Sequence, residues 1–183
     1  PRTAWEHIRG IEPYEISHPP LGKLIMGVGI RLFGMTPFGW RFMGAVMGVL
    51  MVPLMYLLVK QLTKSTKLSF VAMFLLTVDS MHFTQTRIAT IDSYAVFWIM
   101  LMYFFMFRYF QMRWTSAQAF RRSLIPLGVC GVTMGIAWAT KWIGIYASAG
   151  LAVLFFWSLY RRWREYRYAR AHMDKGENAE LCA

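Results

Sequence analysis

Apolar residues run in long blocks along most of the chain, and short polar joints separate the blocks. A bilayer core about 30 Å thick takes roughly 20 mostly apolar residues in a helix. Five blocks reach or approach that length, at residues 42–59, 68–86, 93–107, 123–140 and 142–160. The pattern therefore predicts an all-α fold, a multi-pass transmembrane helical bundle with about five spans in this chain.

The polar joints alternate between strongly basic and mixed or weakly charged. The basic joints hold Lys60, Lys64 and Lys67; then Arg108, Arg113, Arg121 and Arg122; then Arg161, Arg162, Arg164, Arg167 and Arg170. Basic loops stay on the cytoplasmic side of a membrane. One orientation satisfies every joint, and it places residues 1–23, the 79–92 joint and the Lys141 joint on the outer side.

Three regions follow from this pattern. Residues 1–36 form an external loop with an interfacial helix at residues 24–33, which is too short to cross a bilayer and is interrupted by Arg31. Residues 37–160 hold the transmembrane helices, and residues 161–183 form a basic cytoplasmic segment with a polar tail. Because the chain begins with Pro1 and no signal pattern precedes the first apolar block, we expect an amino-terminal fragment whose true start is missing.

Composition selects a membrane setting over a nucleic-acid partner. Apolar residues make up 57% of the chain and charged residues only 16%, yet Lys and Arg outnumber Asp and Glu by 20 to 9. A chain that is both apolar and basic suits an anionic membrane surface. The two cysteines, Cys130 and Cys182, lie far apart and match no metal-ligand spacing, so no metal or cofactor is predicted.

The segment from Ile16 to Lys23 is the most distinctive in the chain. Pro19 and Pro20 keep the backbone extended and delay the helix that can start at Leu21. His18 and Lys23 are thereby fixed near the same end. They are candidates for substrate binding, and the plainer interpretation is an ordinary helix entry with interfacial side chains.

Arg41 stands at the outer start of a charge-free span. A guanidinium in that place is costly unless it snorkels to the headgroups or finds an anion. Its rigid donor fork can grip two phosphate oxygens at once. We therefore expect either simple snorkelling or the binding of a phosphate.

The joint between the second and third spans collects further ionisable residues. Asp79 and His82 are three residues apart, so one continuous helix would put them on the same face. Arg87 and Asp92 follow, with Asp92 in the first turn of the third span. Asp92 there either complements the helix dipole or pairs with Arg87 or Arg41. All four are predicted to support a site at the outer face.

Lys141 and Trp142 interrupt the last long apolar stretch. A tight hairpin with an interfacial Trp anchor explains them simply. The alternative adds a cation, Lys141, near a lipid phosphate.

Together these residues resemble the protein O-mannosyltransferase family, the dolichyl- or polyprenyl-phosphate-mannose-dependent enzymes of GT-C architecture, in a bacterial type. The resemblance covers about residues 5–160. Its motifs are His18-Pro19-Pro20-Leu21-Gly22-Lys23, Pro37-Phe38-Gly39-Trp40-Arg41, Gln85-Thr86-Arg87-Ile88-Ala89-Thr90-Ile91-Asp92 and Thr140-Lys141-Trp142.

The resemblance implies an inverting glycosyltransferase that moves mannose from a polyprenyl- or dolichyl-phosphate carrier to Ser or Thr hydroxyls of extracytoplasmic proteins. Its partners would be the lipid-linked donor and an acceptor protein, in a bacterial cell membrane, or in the ER membrane of a eukaryote. The family's catalytic Asp belongs to an Asp-Glu pair expected just before residue 1. Glu6 is not its replacement, so no catalytic residue is assigned within the chain.

Two other functions fit parts of the pattern. A transferase of the same architecture could use a different sugar or a non-protein acceptor. A multi-pass transporter or structural subunit would place polar residues near the middle of the bilayer and break its helices there. Since the polar residues gather at one face, chemistry on a lipid headgroup is favoured.

Overall fold

A computed structural model describes residues 1–114 and 116–173, and the predicted polar tail at 174–183 with Cys182 lies outside this range. The described residues form eight α-helices. They are α1 (Arg2–Arg9), α2 (Leu21–Phe33), α3 (Pro37–Thr63), α4 (Thr66–Val78), α5 (Ser80–Arg87), α6 (Asp92–Gln111), α7 (Ala117–Thr140) and α8 (Ile143–Met173). The predicted all-α class is confirmed.

Four helices in the described ranges are long and apolar enough to cross a membrane: α3, α6, α7 and α8. Large apolar side chains on their outer faces are exposed, among them Val49, Val132 and Phe156. Such a surface is stable against hydrocarbon and not against water. The chain is therefore an integral membrane bundle, as the sequence predicts.

The second predicted span is not one helix. Asp79 ends α4 with extended backbone, and its carboxylate accepts the backbone N–H groups of Met81 and His82, which starts α5. Helix α4, with 13 residues, is only about 20 Å long. Thr86 in α5 lies against Gly48 of α3, so α4 and α5 together return along most of α3.

The polar joints meet at two opposite ends of the bundle. At one end, Trp142 Nε1 donates to the carbonyl of Ser17 at 3.0 Å, and we call this the His18 end. At the other, the Arg108 end, Lys64 Nζ donates to Gln111 Oε1 at 3.0 Å. The alternation of joints that the sequence predicts is thus present in the fold.

Helix α6 joins two apolar clusters. Met102, Met106 and Tyr109 pack with Cys130, Ala137 and Leu151 of α7 and α8. Nearer the His18 end, Tyr94 packs with residues of α1, α2 and α3, namely Ala4, Met26, Ile30 and Met47. Both clusters consist mainly of side chains that are almost fully buried, so α6 is the central helix that holds the site-bearing segments to the rest of the bundle.

The described part of α8 extends past its predicted end at residue 160 and ties the Arg108 end together. Arg162 lies over the Trp114 ring at 3.6 Å and donates to the carbonyls of Tyr109 and Met112. Arg161 donates to the carbonyl of Phe110. The last carbonyls of a helix have no partner within it. These two arginines supply partners for the end of α6.

Gly39 allows α3 to pass very close to the end of α2. A Cβ at Gly39 would lie 2.2 Å from the carbonyl oxygen of Gly34, whereas a Cβ at Gly128 of α7 would meet nothing within 4 Å. We expect Gly39→Ala to destabilise the fold by about 1–3 kcal/mol through overpacking. The matched change Gly128→Ala should leave stability unchanged or slightly raised. Thermal unfolding in detergent measures both, and equal melting temperatures would contradict this packing.

Candidate functional site

A cavity of about 290 Å³ opens at the His18 end, and we call it the His18 cavity. Four separate segments meet there: the start of α1, the loop before α2 with the start of α2, the joint between α5 and α6, and the turn between α7 and α8. Its lining residues are Pro1, Thr3, Ala4, Glu15, His18, Lys23, Met26, Ala89, Thr90, Ile91, Asp92 and Lys141. The structure thus brings together four of the predicted site residues: His18, Lys23, Asp92 and Lys141.

The cavity wall depends on the close approach of α2. Helix α2 begins at Leu21 with Pro20 as its N-cap. The backbone of Pro20 is already in the right-handed helical region, so the expectation of an extended backbone is wrong at this proline. Gly22 follows, and a Cβ there would lie 3.0 Å from Ile91 and 3.1 Å from Thr140. With a larger residue, the side chains of Ile91 and Thr140, or α2 itself, would have to shift by a few tenths of an ångström. The Gly in this motif therefore allows α2 to pack closely against the two joints.

Lys23 is nearly buried and holds the loop that precedes its own helix. Its Nζ donates to the carbonyl of Glu15 at 2.8 Å and lies 3.3 Å from Glu15 Oε2. Because an unpaired ammonium would be costly in so buried a place, Glu15 is a required partner. Lys23 was predicted as a substrate ligand, and the structure gives it a loop-holding contact beside the cavity.

Asp92 and Lys141 form an ion pair across the cavity wall, joining the start of α6 to the turn before α8. The sequence predicted either a dipole role for Asp92 or a pair with Arg87 or Arg41. That choice of partner was wrong, because the α7–α8 turn brings Lys141 to the first turn of α6. Arg87 instead lies over the Phe83 ring at 4.7 Å.

Two buried polar atoms in the cavity have no hydrogen-bond partner in the structure. They are Nδ1 of His18 and Oγ1 of Thr90. Buried polar groups in proteins are nearly always paired, so a water or a ligand in the cavity would complete both. The sequence singled out His18 and missed Thr90, whose only signal was its place inside the Gln85–Asp92 motif.

The other four predicted residues do not line this cavity. Asp79 and His82 were expected to share one helix face, which is wrong because the helix breaks at Asp79. Asp79 caps α5, and His82 Nε2 lies 3.2 Å from the carbonyl oxygen of Gly48 on α3. Arg41 is exposed on the second turn of α3. Arg41 therefore lies outside the cavity that His18 and Asp92 line.

Carboxylates of the amino-terminal segment serve structure. Glu6, in α1, accepts the N–H of Tyr14 and the Nε–H of Arg2, both at 2.8 Å. The backbone N–H of Tyr14, more than Arg2, holds the pKa of Glu6 below its ordinary value. For Glu15, the hydroxyl of Ser17 and then Lys23 lower the pKa in the same direction. Both groups favour the folded loop only while they are ionised.

This gives a pH dependence for the loop at residues 10–20. Since the pKa of Glu15 is lowered in the folded state, its contribution is present above the ordinary carboxyl pKa and is lost as pH falls through the folded value. We expect wild-type protein to resist pepsin in this loop near pH 5 and to lose that protection towards pH 3. Dividing the wild-type cleavage rate by that of Glu15→Gln at each pH removes the pH dependence of pepsin itself. A constant ratio of the two cleavage rates would contradict the role of Glu15.

In the described part of the chain, no group of three His, Cys, Asp or Glu side chains could hold a metal ion. The cavity offers two lysines, one histidine and two carboxylates, with each lysine bound to a carboxylate. Hydrogen-bond donors beside a cavity of this size can hold a small polar headgroup.

Comparison with known proteins identifies the family of this chain. A family model described as dolichyl-phosphate-mannose-protein mannosyltransferase matches residues 2–173. A polyprenol-phosphate-mannose–protein mannosyltransferase of Mycobacterium tuberculosis strain H37Rv is 33% identical over 155 residues, covering 77% of this chain and 29% of that protein. The same-named protein of Mycolicibacterium smegmatis strain ATCC 700084 is 34% identical over 173 residues, covering 84% and 33%.

A third relative with the same name, from Corynebacterium glutamicum, is 30% identical over 156 residues and covers 76% of this chain and 30% of that protein. No solved structure gives a significant match. The chain thus spans about a third of the length of the curated relatives it matches. With a family match over nearly its whole length, this chain belongs to the dolichyl-phosphate-mannose-protein mannosyltransferase family.

Proposed function

We propose that the whole protein is an inverting mannosyltransferase that uses a polyprenyl- or dolichyl-phosphate carrier and Ser or Thr hydroxyls of extracytoplasmic proteins. The observation that carries this proposal is the His18 cavity, where four segments of a family member bring His18, Lys23, Asp92 and Lys141 together. Relatives named for the same reaction support the donor and the acceptor. The polar residues of the His18 cavity lie at one end of the bundle and not at its middle, which favours headgroup chemistry over an ion path.

In this reaction the acceptor oxygen bonds to the anomeric carbon of mannose as the bond from that carbon to the phosphate oxygen breaks. The hydroxyl proton goes to a general base, and the carrier phosphate leaves with the electron pair. Negative charge grows on the phosphate, so positioned cations and N–H donors lower the barrier. A phosphate is already a fair leaving group, and the step requires no metal ion.

The residues at the His18 end divide into two proposed roles. His18 and Thr90, with unpaired atoms in the cavity, hydrogen-bond the mannosyl phosphate. Lys23 and Lys141 supply positive charge at the wall while Glu15 and Asp92 hold them in place. Asp79, His82 and Arg87 support the joint that carries Thr90 and Asp92.

Arg41 is proposed to meet the phosphate from the membrane side. Its neighbours Trp40 and Met43 pack into the same cluster as Ala4 and Met26, which line the cavity floor. Its exposed guanidinium has no ion pair or hydrogen bond within the described residues. A long, exposed side chain beside the floor can reach a headgroup that enters from the lipid.

The general base is assigned to none of the carboxylates near the cavity. Glu6 is bound to Arg2 and Tyr14, Glu15 to Ser17 and Lys23, and Asp92 to Lys141. A base must lie within hydrogen-bond reach of the acceptor hydroxyl. Asp92 keeps Oδ2 without a partner among the described residues, and we assign Asp92 a positioning role because its Oδ1 holds Lys141 and the α7–α8 turn. We propose that the remainder of the whole protein supplies the general base.

The direct test is transfer of labelled mannose by membranes that contain the whole protein. We expect polyprenyl-phosphate-mannose to label a Ser/Thr acceptor peptide, and a peptide with Ala at those positions to stay unlabelled. A nucleotide-activated mannose should give no transfer in washed membranes. Labelling of a lipid or glycan in place of the peptide would contradict the protein acceptor and favour the alternative transferase.

A further inference from the structure

A second cavity lies at the Arg108 end, where the last turn of α6 meets the first turns of α7. Its volume is about 450 Å³, and we call it the Arg108 groove. It is lined by Arg108, Gln111, Met112, Arg122, Ile125 and Pro126. None of these residues belongs to the His18 cavity, which is at the opposite end of the bundle.

The groove presents two guanidinium groups without counter-charges. Arg108 and Arg122 are exposed, and within the described residues neither side chain makes an ion pair or hydrogen bond. The sequence has no acidic residue between Asp92 and Glu165. Glu165 lies 3.7 Å from Arg161 Nε and is therefore already engaged.

The other polar atoms of the groove are occupied. Gln111 accepts from Lys64 Nζ and donates to the carbonyl of Gln61, both at 3.0 Å. The carbonyl of Met112 accepts from Arg162. What the groove offers a ligand is therefore the two arginine forks, which match the oxygens of a phosphate group.

One side of the groove is apolar and continues along α7. Met112, Ile125 and Pro126 line it, and Ile125 is 68% exposed. Beyond them, a Cβ at Gly128 or Gly131 would meet nothing within 4 Å, so the outer face of α7 is open. Two arginines at the entrance of the groove, next to the exposed apolar face of α7, suit a lipid with an anionic headgroup and an acyl chain.

We propose that the Arg108 groove binds the phosphate headgroup of an anionic membrane lipid, with Arg108 and Arg122 on the phosphate and the acyl chain along α7. This binding is independent of mannosyl transfer. Clustered arginines at a membrane surface bind anionic lipids with an energy that grows with each residue. The groove would confine this attraction to one place, because it holds one headgroup between α6 and α7.

The test compares two double variants with the same change in net charge. Arg108→Gln with Arg122→Gln removes the groove cations, whereas Arg113→Gln with Arg121→Gln removes two exposed cations of the same joint that do not line it. Native mass spectrometry of the whole protein from nanodiscs of phosphatidylglycerol and phosphatidylcholine measures retained lipid. We expect the ratio of retained phosphatidylglycerol to phosphatidylcholine to fall about tenfold in the groove variant. In the control variant this ratio should stay at the wild-type value.

Equal losses in both variants would mean diffuse surface charge and would overturn the site, as would no loss in either. Inorganic phosphate added at millimolar concentration should not displace the lipid, and full displacement would overturn the lipid as the ligand. If the Gln variant fails to fold, Arg108→Lys with Arg122→Lys keeps both charges and loses the planar forks. We expect it to retain less phosphatidylglycerol than wild type, and wild-type retention would overturn the bidentate geometry.

Discussion

Replacing Arg41 by alanine is expected to reduce mannosyl transfer by the whole protein about 100-fold, because one donor to the developing charge of the phosphate is lost. The loss should appear in kcat more than in KM if the guanidinium acts chiefly on the leaving phosphate. Since the side chain is exposed and pairs with none of the described residues, the fold should be unaffected. Initial rates with polyprenyl-phosphate-mannose and a Ser/Thr peptide measure both constants.

Arg31 offers a matched control for this change. It is also an exposed arginine, in the last turn of α2, and it lies outside the motifs shared with the family. Arg31→Ala removes the same charge and should leave transfer within about twofold of wild type, as surface substitutions usually do. Unchanged kinetics for Arg41→Ala, or equal losses for the two variants, would remove Arg41 from the site.

The second large effect is expected at the ion pair between Asp92 and Lys141. Each single change, Asp92→Ala or Lys141→Ala, should lower transfer at least about tenfold, since small displacements of a catalytic wall are costly. Stability should fall by no more than about 1 kcal/mol, because both side chains are partly exposed. Melting temperature and transfer rate, measured on the same samples, separate the two effects.

The double variant distinguishes a wall contact from a direct contact with phosphate. If the pair acts by joining α6 to the α7–α8 turn, the double variant should be no slower than the worse single variant. If the losses multiply, Lys141 acts on the donor independently of Asp92, and the wall role is contradicted. All of these variants keep Trp142, whose Nε1 donates from the same turn to the carbonyl of Ser17.

Local patterns predicted most of the membrane architecture. Block length gave α3, α6, α7 and α8, and the alternation of basic joints gave the two ends of the bundle. The sequence did not predict α1, which has Ala4, Trp5 and Ile8 on one face and Arg2, Glu6 and Arg9 on the other, because eight residues are too few to form an apolar block. Nor did it predict the break at Asp79. Asp is a favoured N-cap residue, but apolar residues on both sides of Asp79 made residues 68–86 look like one continuous span.

The sequence predicted only part of the site, because local motifs determine some of its geometry and packing between helices determines the rest. The prolines of the His18 motif fix its own local geometry, so His18 and Lys23 were found. Which side chains meet across helices depends on packing, so the Lys141 partner of Asp92 and the cavity position of Thr90 could not be deduced. Phosphate binding by Arg41 was predicted from its residue type and its position alone, and its side chain lies outside the cavity.

The central claim is that the His18 cavity receives the phosphate headgroup of a polyprenyl-linked sugar. A photoreactive polyprenyl-phosphate, cross-linked to the whole protein in membranes and mapped by mass spectrometry, tests it most directly. We predict cross-links at residues 17–23 and 89–92 that natural donor competes away. Cross-links confined to the Arg108 groove, or labelling at His18 and Thr90 that the donor cannot displace, would contradict the account.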